Sequence, residues 1–321
     1  MKVSVNMTNS EDDVRRFQDA ADCERFLTGY DGVELMYFDG AEKDVIPPGR
    51  VVGLHMSYHA NWLDFWRQNE AELIKEYDDL ETCRMCYGGT LDKNRIVEEF
   101  RRDHALAKRF GAKYMVYHLS DCSIEETFTR RFRYTDEEVI DAACEIINEA
   151  TAGEDDSVAL LLENLWLPGF RFTRPEMTRR MLDGVKYPNK GIMLDTGHVL
   201  HNNLDLKTQE EGIRYIHSLL DAHGELCRYI RGVHLNQSLT GDYCREMMEH
   251  PPKMGESYWK RSEQMFYHAF AADKHLPFTG EGIRELIQRI NPEYLTFEFI
   301  TESREQHEAY LRAQRKALGM K

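Results

Sequence analysis

The sequence contains no run of about eighteen apolar residues, so no membrane span can be read from it. Its start, Met1-Lys2-Val3-Ser4-Val5-Asn6, soon reaches acidic Glu11-Asp12-Asp13 and offers neither the apolar stretch nor the cleavage site of a secretory signal. Cysteine is sparse and odd in number: seven, at 23, 83, 86, 122, 144, 227 and 244, a scatter that does not suggest a disulfide framework. Cys83 and Cys86 form a lone C-x-x-C, half a zinc site at best, and the spacing is assigned to chance. Basic residues are the other shortage, with 41 Lys and Arg against 56 Asp and Glu, a formal charge of −15. That excess repels polyphosphate backbones and argues against nucleic acid or an anionic membrane as partner. A cytoplasmic protein with reduced thiols and a small-molecule substrate is expected.

Low-complexity segments and short-period repeats are also absent. The 321 residues are 42% hydrophobic and 11% aromatic, enough for a large core. One unit recurs: a short apolar run, a loop, then a longer charged stretch of helical period. The candidate strands are 2–6, 32–37, 51–55, 114–118, 159–163, 191–195, 230–234 and 294–298. Among the helices between them, Thr135-Asp136-Glu137-Glu138 reads as an N-cap with an acidic first turn. Thr208 and Gly282 open two more apolar-striped stretches. Eight such pairs imply a parallel sheet, and eight strands close a barrel. The expected fold is α/β, a (β/α)8 TIM barrel in one domain over 1–321, with a doubly wound open sheet as the alternative. Long loops follow strand three (55–93, with Trp62, Phe65 and Trp66) and strand seven (236–272, with Pro251-Pro252). Loops of this length are expected to act as lids or binding walls.

The last residues of strands three to eight are His55, His118, Glu163, Asp195, His234 and Glu298, each able to ligate a metal. A closed parallel barrel gathers all strand C-termini at one mouth, whereas an open sheet spreads them in a line. Burying Glu163 behind Leu160-Leu161-Leu162, or Asp195 behind Ile192-Met193-Leu194, costs several kcal/mol unless the acid is paired, protonated or on a metal. His198 follows Asp195 by three, after a glycine expected to turn the chain over the strand end. Asp273-Lys274-His275 places two more ligand types on alternate residues. Nine His, Asp and Glu side chains exceed the needs of one cation and suit two or three. Mixed imidazole and carboxylate favour Zn²⁺, with Mn²⁺ or Fe²⁺ as alternatives.

The order of these motifs resembles the xylose isomerase-like TIM barrels (AP endonuclease family 2), and within them is most similar to endonuclease IV. His55-Met56-Ser57-Tyr58-His59-Ala60-Asn61 is similar to that family's H-x-S-Y-x-x-N, Tyr117-His118 to its strand-four histidine, and Glu163-Asn164 to its E-N pair. Asp195-Thr196-Gly197-His198 is similar to D-T-x-H, His234-Leu235-Asn236 to H-L-N, and Glu298 to the closing glutamate. Asp273-Lys274-His275 with Gly280-Glu281-Gly282 resembles D-R-H followed by G-E-G, with one residue extra between. The resemblance implies that His55, His118 and Glu163 hold one metal. Glu163 then bridges to a second held by Asp195, His234 and Glu298, and His198, Asp273 and His275 hold a third. Leu165-Trp166-Leu167, Gln237 and the long 236–272 loop depart from endonuclease IV.

Two activities are weighed. A metal cluster can acidify water and clamp a phosphoester, and it accounts for His55, His118, His198, Asp273 and His275. A sugar or sugar-phosphate isomerase or epimerase needs only Glu163, Asp195, His234 and Glu298, with Glu163 and Glu298 exchanging a proton and His198 touching substrate. Tyr58, Asn61, Trp62, Trp166 and Asn236 are the candidate substrate-binding residues, and Phe65 and Trp66 either wall the pocket or pack. A DNA endonuclease is opposed by the net charge, and a non-catalytic metal barrel is the bland alternative. Ligand count favours the phosphoester hydrolase, acting on a small phosphorylated substrate.

Overall fold

Runs such as Ala159-Leu160-Leu161-Leu162-Glu163 are buried at every residue, as expected of parallel strands covered on both faces. The computed structural model, which describes residues 1–40 and 45–320, contains eight strands. They are β1 Lys2–Thr8, β2 Gly32–Met36, β3 Val51–His55, β4 Tyr114–His118, β5 Ala159–Glu163, β6 Lys190–Asp195, β7 Ile230–Leu235 and β8 Tyr294–Phe297. All neighbours pair in parallel and β8 pairs with β1, so the sheet closes into a barrel and the open-sheet alternative falls. Among the six strands expected to end in a ligand, two ends differ by one residue: His234 is the penultimate residue of β7, and Glu298 lies just beyond β8.

Side chains on a strand alternate faces, so the mouth is prepared by what lies beneath it. Val52, Tyr114, Val116, Ala159, Leu161 and Met193 form an apolar cluster of their own, inside the barrel. Two residues after Val116, Leu161 and Met193, on the same inward faces, come His118, Glu163 and Asp195. Gly53 leaves room for the Tyr114 ring, because a Cβ there would sit 2.2 Å from a ring atom. The Tyr114 hydroxyl then donates to Glu34 at 2.6 Å, and Glu34 also accepts from Thr296 at 3.0 Å, forming a polar layer just under the mouth.

Helices pack outside over the main core, and their starts follow the sequence signals. Thr135 with Glu138, and Thr208 with Glu211, form reciprocal capping boxes, and Gly282 stands at φ +95° before the helix Ile283–Ile290. His307, buried between Phe26 and Phe299, is held at about 4 by burial. Its neutral form stabilises the fold fully above about 6.5, and that contribution is lost as pH falls towards 4. At 1.36 kcal/mol per pKa unit the loss is at most about 3 kcal/mol. A His307→Gln protein should show a flatter fall of Tm between pH 6.5 and 4 than the parent.

The two long connections are helical. After β3 come Leu63–Arg67, Glu70–Tyr77 and Leu80–Cys86; after β7 come Gly241–Glu249 and Tyr258–Ala272. They meet each other: Arg261 bonds Asp78 at 2.8 Å, and the Tyr77 and Tyr258 rings lie 4.9 Å apart. His268 stacks on Phe128 of the helix Ile124–Thr129 after β4. The β7 segment thus leans across the β4 connection to the β3 segment and walls that side of the barrel. Cys83 is buried and Cys86 partly so within one helix, and burial raises both thiols. Among the described residues no helix is long and apolar enough to cross a membrane.

Candidate metal centre

The nine residues singled out in the sequence come together at the C-terminal mouth of the barrel. They fall into three groups whose ligand atoms lie within 4.8 Å of one another: His55, His118 and Glu163; Glu163, Asp195, His234 and Glu298; and His198, Asp273 and His275. Glu163 belongs to two groups. In the first, the His55 and His118 Nε2 atoms are 3.1 Å apart and lie 3.5 and 3.1 Å from Glu163 Oε2. In the second, His234 Nδ1 lies 3.3 Å from Glu163 Oε1, 3.2 Å from Glu298 Oε2 and 3.8 Å from Asp195 Oδ2. In the third, Asp273 Oδ2 faces His198 Nε2 at 3.1 Å and His275 Nε2 at 2.7 Å.

Two features test whether a cation fits. First, both Glu163 oxygens and His234 Nδ1 are buried without a hydrogen-bond partner, although imidazoles stand close to Glu163. Close approach without hydrogen-bond alignment is what lone pairs aimed at a shared centre produce. Ligand atoms about 2.0–2.1 Å from a tetrahedral zinc lie roughly 3.3 Å from each other, near the separations here. Second, three buried carboxylates, Glu163, Asp195 and Asp273, lie together with half-buried Glu298. Burial pushes the Asp195 carboxyl up to about 7 despite His198. Burial also works against ionised Glu163, Asp273 and Glu298, but the surrounding histidines outweigh it and hold all three below the usual carboxylate range. His198 and His234 are raised in turn, and His275 reaches about 9, as burial is overcome by these acids. Such a cluster calls for positive charge.

Several of these side chains are held from behind. His55 and His275 direct Nδ1 to the carbonyls of Met56 and Glu298, and His198 Nδ1 to that of Asn164. Asp195 caps the short helix Thr196–Leu200, its Oδ1 accepting from the His198 N–H at 2.6 Å. Asn236 Nδ2 donates to Asp195 Oδ2 at 2.7 Å, so this side chain, expected to meet substrate, orients a carboxylate instead. Gly197 lies inside that helix and does not turn the chain as expected. Its missing side chain admits Asn236, whose Oδ1 would lie 1.9 Å from an added Cβ. Gly197→Ala is therefore expected to displace Asn236 and cost about 1–3 kcal/mol, read as a lower denaturant midpoint with an unchanged slope.

Several residues escaped the sequence reading. Glu34 receives His234 Nε2 at 2.8 Å, leaving Nδ1 for the centre. An acid between apolar neighbours in Gly32-Val33-Glu34-Leu35-Met36 was the available signal. Ser238 Oγ donates to Asp273 Oδ1 and accepts from the Lys274 and His275 N–H groups, holding His275 at φ +44°. His201, one helical turn after His198, places Nε2 3.5 Å from Asp273 Oδ1.

The aromatics divide. Tyr58 is 51% exposed with its ring 4.3 Å from that of His118, and Trp166 lies against His198 and His201 at the mouth. Trp62 is buried with its indole on the Ser120 carbonyl, though its edge lines a crevice beside Tyr58 and His118. Phe65 stacks on Tyr87 and Trp66 bonds Glu145, so both pack and do not wall the pocket. Asn61 is buried, and its carbonyl accepts from the Tyr77 and Tyr87 hydroxyls.

Comparison with known proteins agrees with this architecture. The family model described as xylose isomerase-like TIM barrel matches residues 26–318. A probable endonuclease 4 of Mycoplasma mobile is 28% identical over 144 residues, 44% of this chain and 45% of that protein, so the match spans under half the curated relative's length. The crystal structure of endonuclease IV from Thermus thermophilus superposes with a TM-score of 0.56 at 16% identity, covering 99% of both chains. The IOLI protein with a bound zinc atom gives 0.53 at 13% identity, over 99% of this chain and 96% of that one. At these identities the structural likeness speaks for the fold.

Proposed function

The chain belongs to the xylose isomerase-like TIM barrel family, and within it we propose a divalent-metal-dependent phosphoester hydrolase acting on a small phosphorylated substrate. The observation that carries this is the convergence of three ligand groups that share Glu163. His55, His118 and Glu163 would hold one ion, Glu163, Asp195, His234 and Glu298 a second, and His198, Asp273 and His275 a third. Their mixed donors suit Zn²⁺ best, with Mn²⁺ or Fe²⁺ also compatible. When bound, such ions acidify water and neutralise charge on a phosphoryl group.

The chain's own residues do the rest. Glu163, with no hydrogen bond on either oxygen, ties the first two groups together. Glu298 closes the second group, near His234 Nδ1 and Asn236 Nδ2. His198 is fixed by its own N–H on Asp195 and by Nδ1 on Asn164, so it presents one nitrogen toward Asp273. Tyr58 and Trp166 bound the mouth, stand beside histidines of the first and third groups, and limit solvent there. The −15 charge favours a small phosphorylated molecule over duplex DNA.

The supporting roles are testable. Glu34→Gln should weaken metal retention about 10–100-fold in a chelator competition, because the partner that orients His234 is lost. The activity itself is tested on the metal-loaded protein with phosphomonoesters, phosphodiesters and ketoses. Turnover of a phosphoester supports the proposal; turnover of ketoses alone overturns it. A second reading, sugar isomerase or epimerase, is favoured by the completeness of the four-residue group, in which Glu163 and Glu298 both approach His234 Nδ1, at 3.3 and 3.2 Å. Tight binding of an abasic duplex at physiological salt would overturn the charge argument and favour an endonuclease.

A further inference from the structure

Arginine supplies most of the positive charge of this acidic chain, and most of its guanidiniums pair with carboxylates, as Arg171, Arg174, Arg180, Arg231 and Arg304 do. Arg130 does not. It is half-buried, yet makes no ion pair with any of the described residues. One terminal nitrogen donates to the His201 carbonyl at 2.8 Å. Beyond burial, the groups that act on it most strongly are the Cys244 thiol, Arg171 and the Cys122 thiol, none of them a carboxylate. Burial outweighs these and depresses its pKa. Desolvating a cation without a counter-charge is expensive, and a guanidinium carries five donors of which a carbonyl and a thiol use few.

The position of Arg130 gives this cost a meaning. His201, whose carbonyl it holds, directs its ring to Asp273 Oδ1 at 3.5 Å and lies against Trp166. Trp166 in turn stands 5.1 Å from the His198 ring. The backbone of Arg130 is in the left-handed region at φ +52°, directly after the helix Ile124–Thr129 that the β7 segment packs against. Cys122, Leu165, Leu167, Phe132 and Trp166 form a small apolar cluster of their own on this flank. An unpaired guanidinium therefore stands beside apolar surface, with His201 between it and Asp273 of the third ligand group.

We infer that Arg130 is an oxyanion anchor of the substrate site, taking a second phosphate or carboxylate group of a substrate whose phosphoester faces the metal centre. The substrate class is then a small molecule with two anionic ends. Its placement in one substrate site rests on the hydrolase proposal; the affinity of Arg130 for an oxyanion does not. Arginine suits the task because its planar fork binds two oxygens of a phosphate or carboxylate together.

The test separates the two. Inorganic phosphate is titrated calorimetrically into the full-length chain stripped of divalent ions with EDTA. The parent should bind it, Arg130→Ala should weaken binding at least about tenfold, and Arg130→Lys should retain part of it. Arg131→Ala, at an exposed neighbour, should bind as the parent does. Equal phosphate affinity in the parent and Arg130→Ala, or no binding by the folded parent, overturns the inference. If Arg130→Ala fails to fold, Arg130→Lys decides: affinity equal to the parent counts against a forked contact, and a several-fold loss supports it. In the metal-loaded enzyme, the penalty of Arg130→Ala should fall on KM, and only for substrates with a second anionic group. Phosphate binding lost in Arg130→Ala, together with no phosphoester turnover by the parent, would sink the hydrolase proposal and leave the anchor standing.

Discussion

Glu163→Gln protein is expected to fold, to retain about one equivalent of metal where the parent holds about three, and to lose roughly 10³-fold or more in kcat/KM. Both oxygens of Glu163 are buried and free of hydrogen bonds, one facing His55 and His118 and the other His198 and His234. Glutamine keeps the volume but replaces one acceptor oxygen by an N–H₂ donor, which turns hydrogens toward imidazoles that themselves need an acceptor. Two of the three ligand groups lose a member, and only His198, Asp273 and His275 stay complete. A thousandfold loss corresponds to about 4 kcal/mol of transition-state stabilisation. Metal content by elemental analysis, read beside kinetics and thermal unfolding, checks it. Full metal occupancy with activity within tenfold of the parent would remove Glu163 from the centre of the site.

His275→Ala separates the two chemistries. As a ligand His275 belongs to the third group alone, with Nε2 2.7 Å from Asp273 Oδ2, while its Nδ1 rests on the Glu298 carbonyl and lies 3.6 Å from Glu298 Oε2. Its loss leaves the set Glu163, Asp195, His234 and Glu298 intact, the set an isomerase requires. A cluster hydrolase should lose about one metal equivalent and at least about 10²-fold in phosphoester turnover, since charge neutralisation on the phosphoryl oxygens is shared among the ions. An isomerase should lose no more than a few-fold. Phosphoester turnover that survives the substitution would show the third group to be dispensable and weaken the case for a cluster. The measurement is a paired assay of one variant on phosphoesters and ketoses, with metal content determined on the same sample.

Much of the site was legible because it obeys strand periodicity. His118, Glu163 and Asp195 each end an apolar run and lie two residues beyond an inward-facing Val116, Leu161 or Met193. The residues that local pattern missed lie behind those ligands. Glu34 sits in mid-strand among apolar neighbours, and its partner His234 is 200 residues away. Ser238 and His201 read as ordinary polar residues until Asp273 is placed between them. The aromatics were ambiguous for a similar reason: Phe65 and Trp66 follow a ligand strand as closely as Trp62 does, yet only placement shows them spent on Tyr87 and Glu145. Gly197 was assigned to a turn, and only the approach of Asn236 reveals what its missing side chain admits.

By itself the sequence determined the number and order of the strands, the helix starts at Thr135 and Thr208, and the identity of the nine ligand-type side chains. Those features follow from local rules, the two-residue period of a strand and the hydrogen bonds of a capping box, which act over a few residues. Tertiary structure alone decided that Glu34 orients His234, that Asn236 holds Asp195 rather than lying open to substrate, and that Arg130 is left without an acid. These depend on distances between residues far apart in the chain. Closing the barrel fixes such distances, because β8 must find β1 and bring every strand end to one rim.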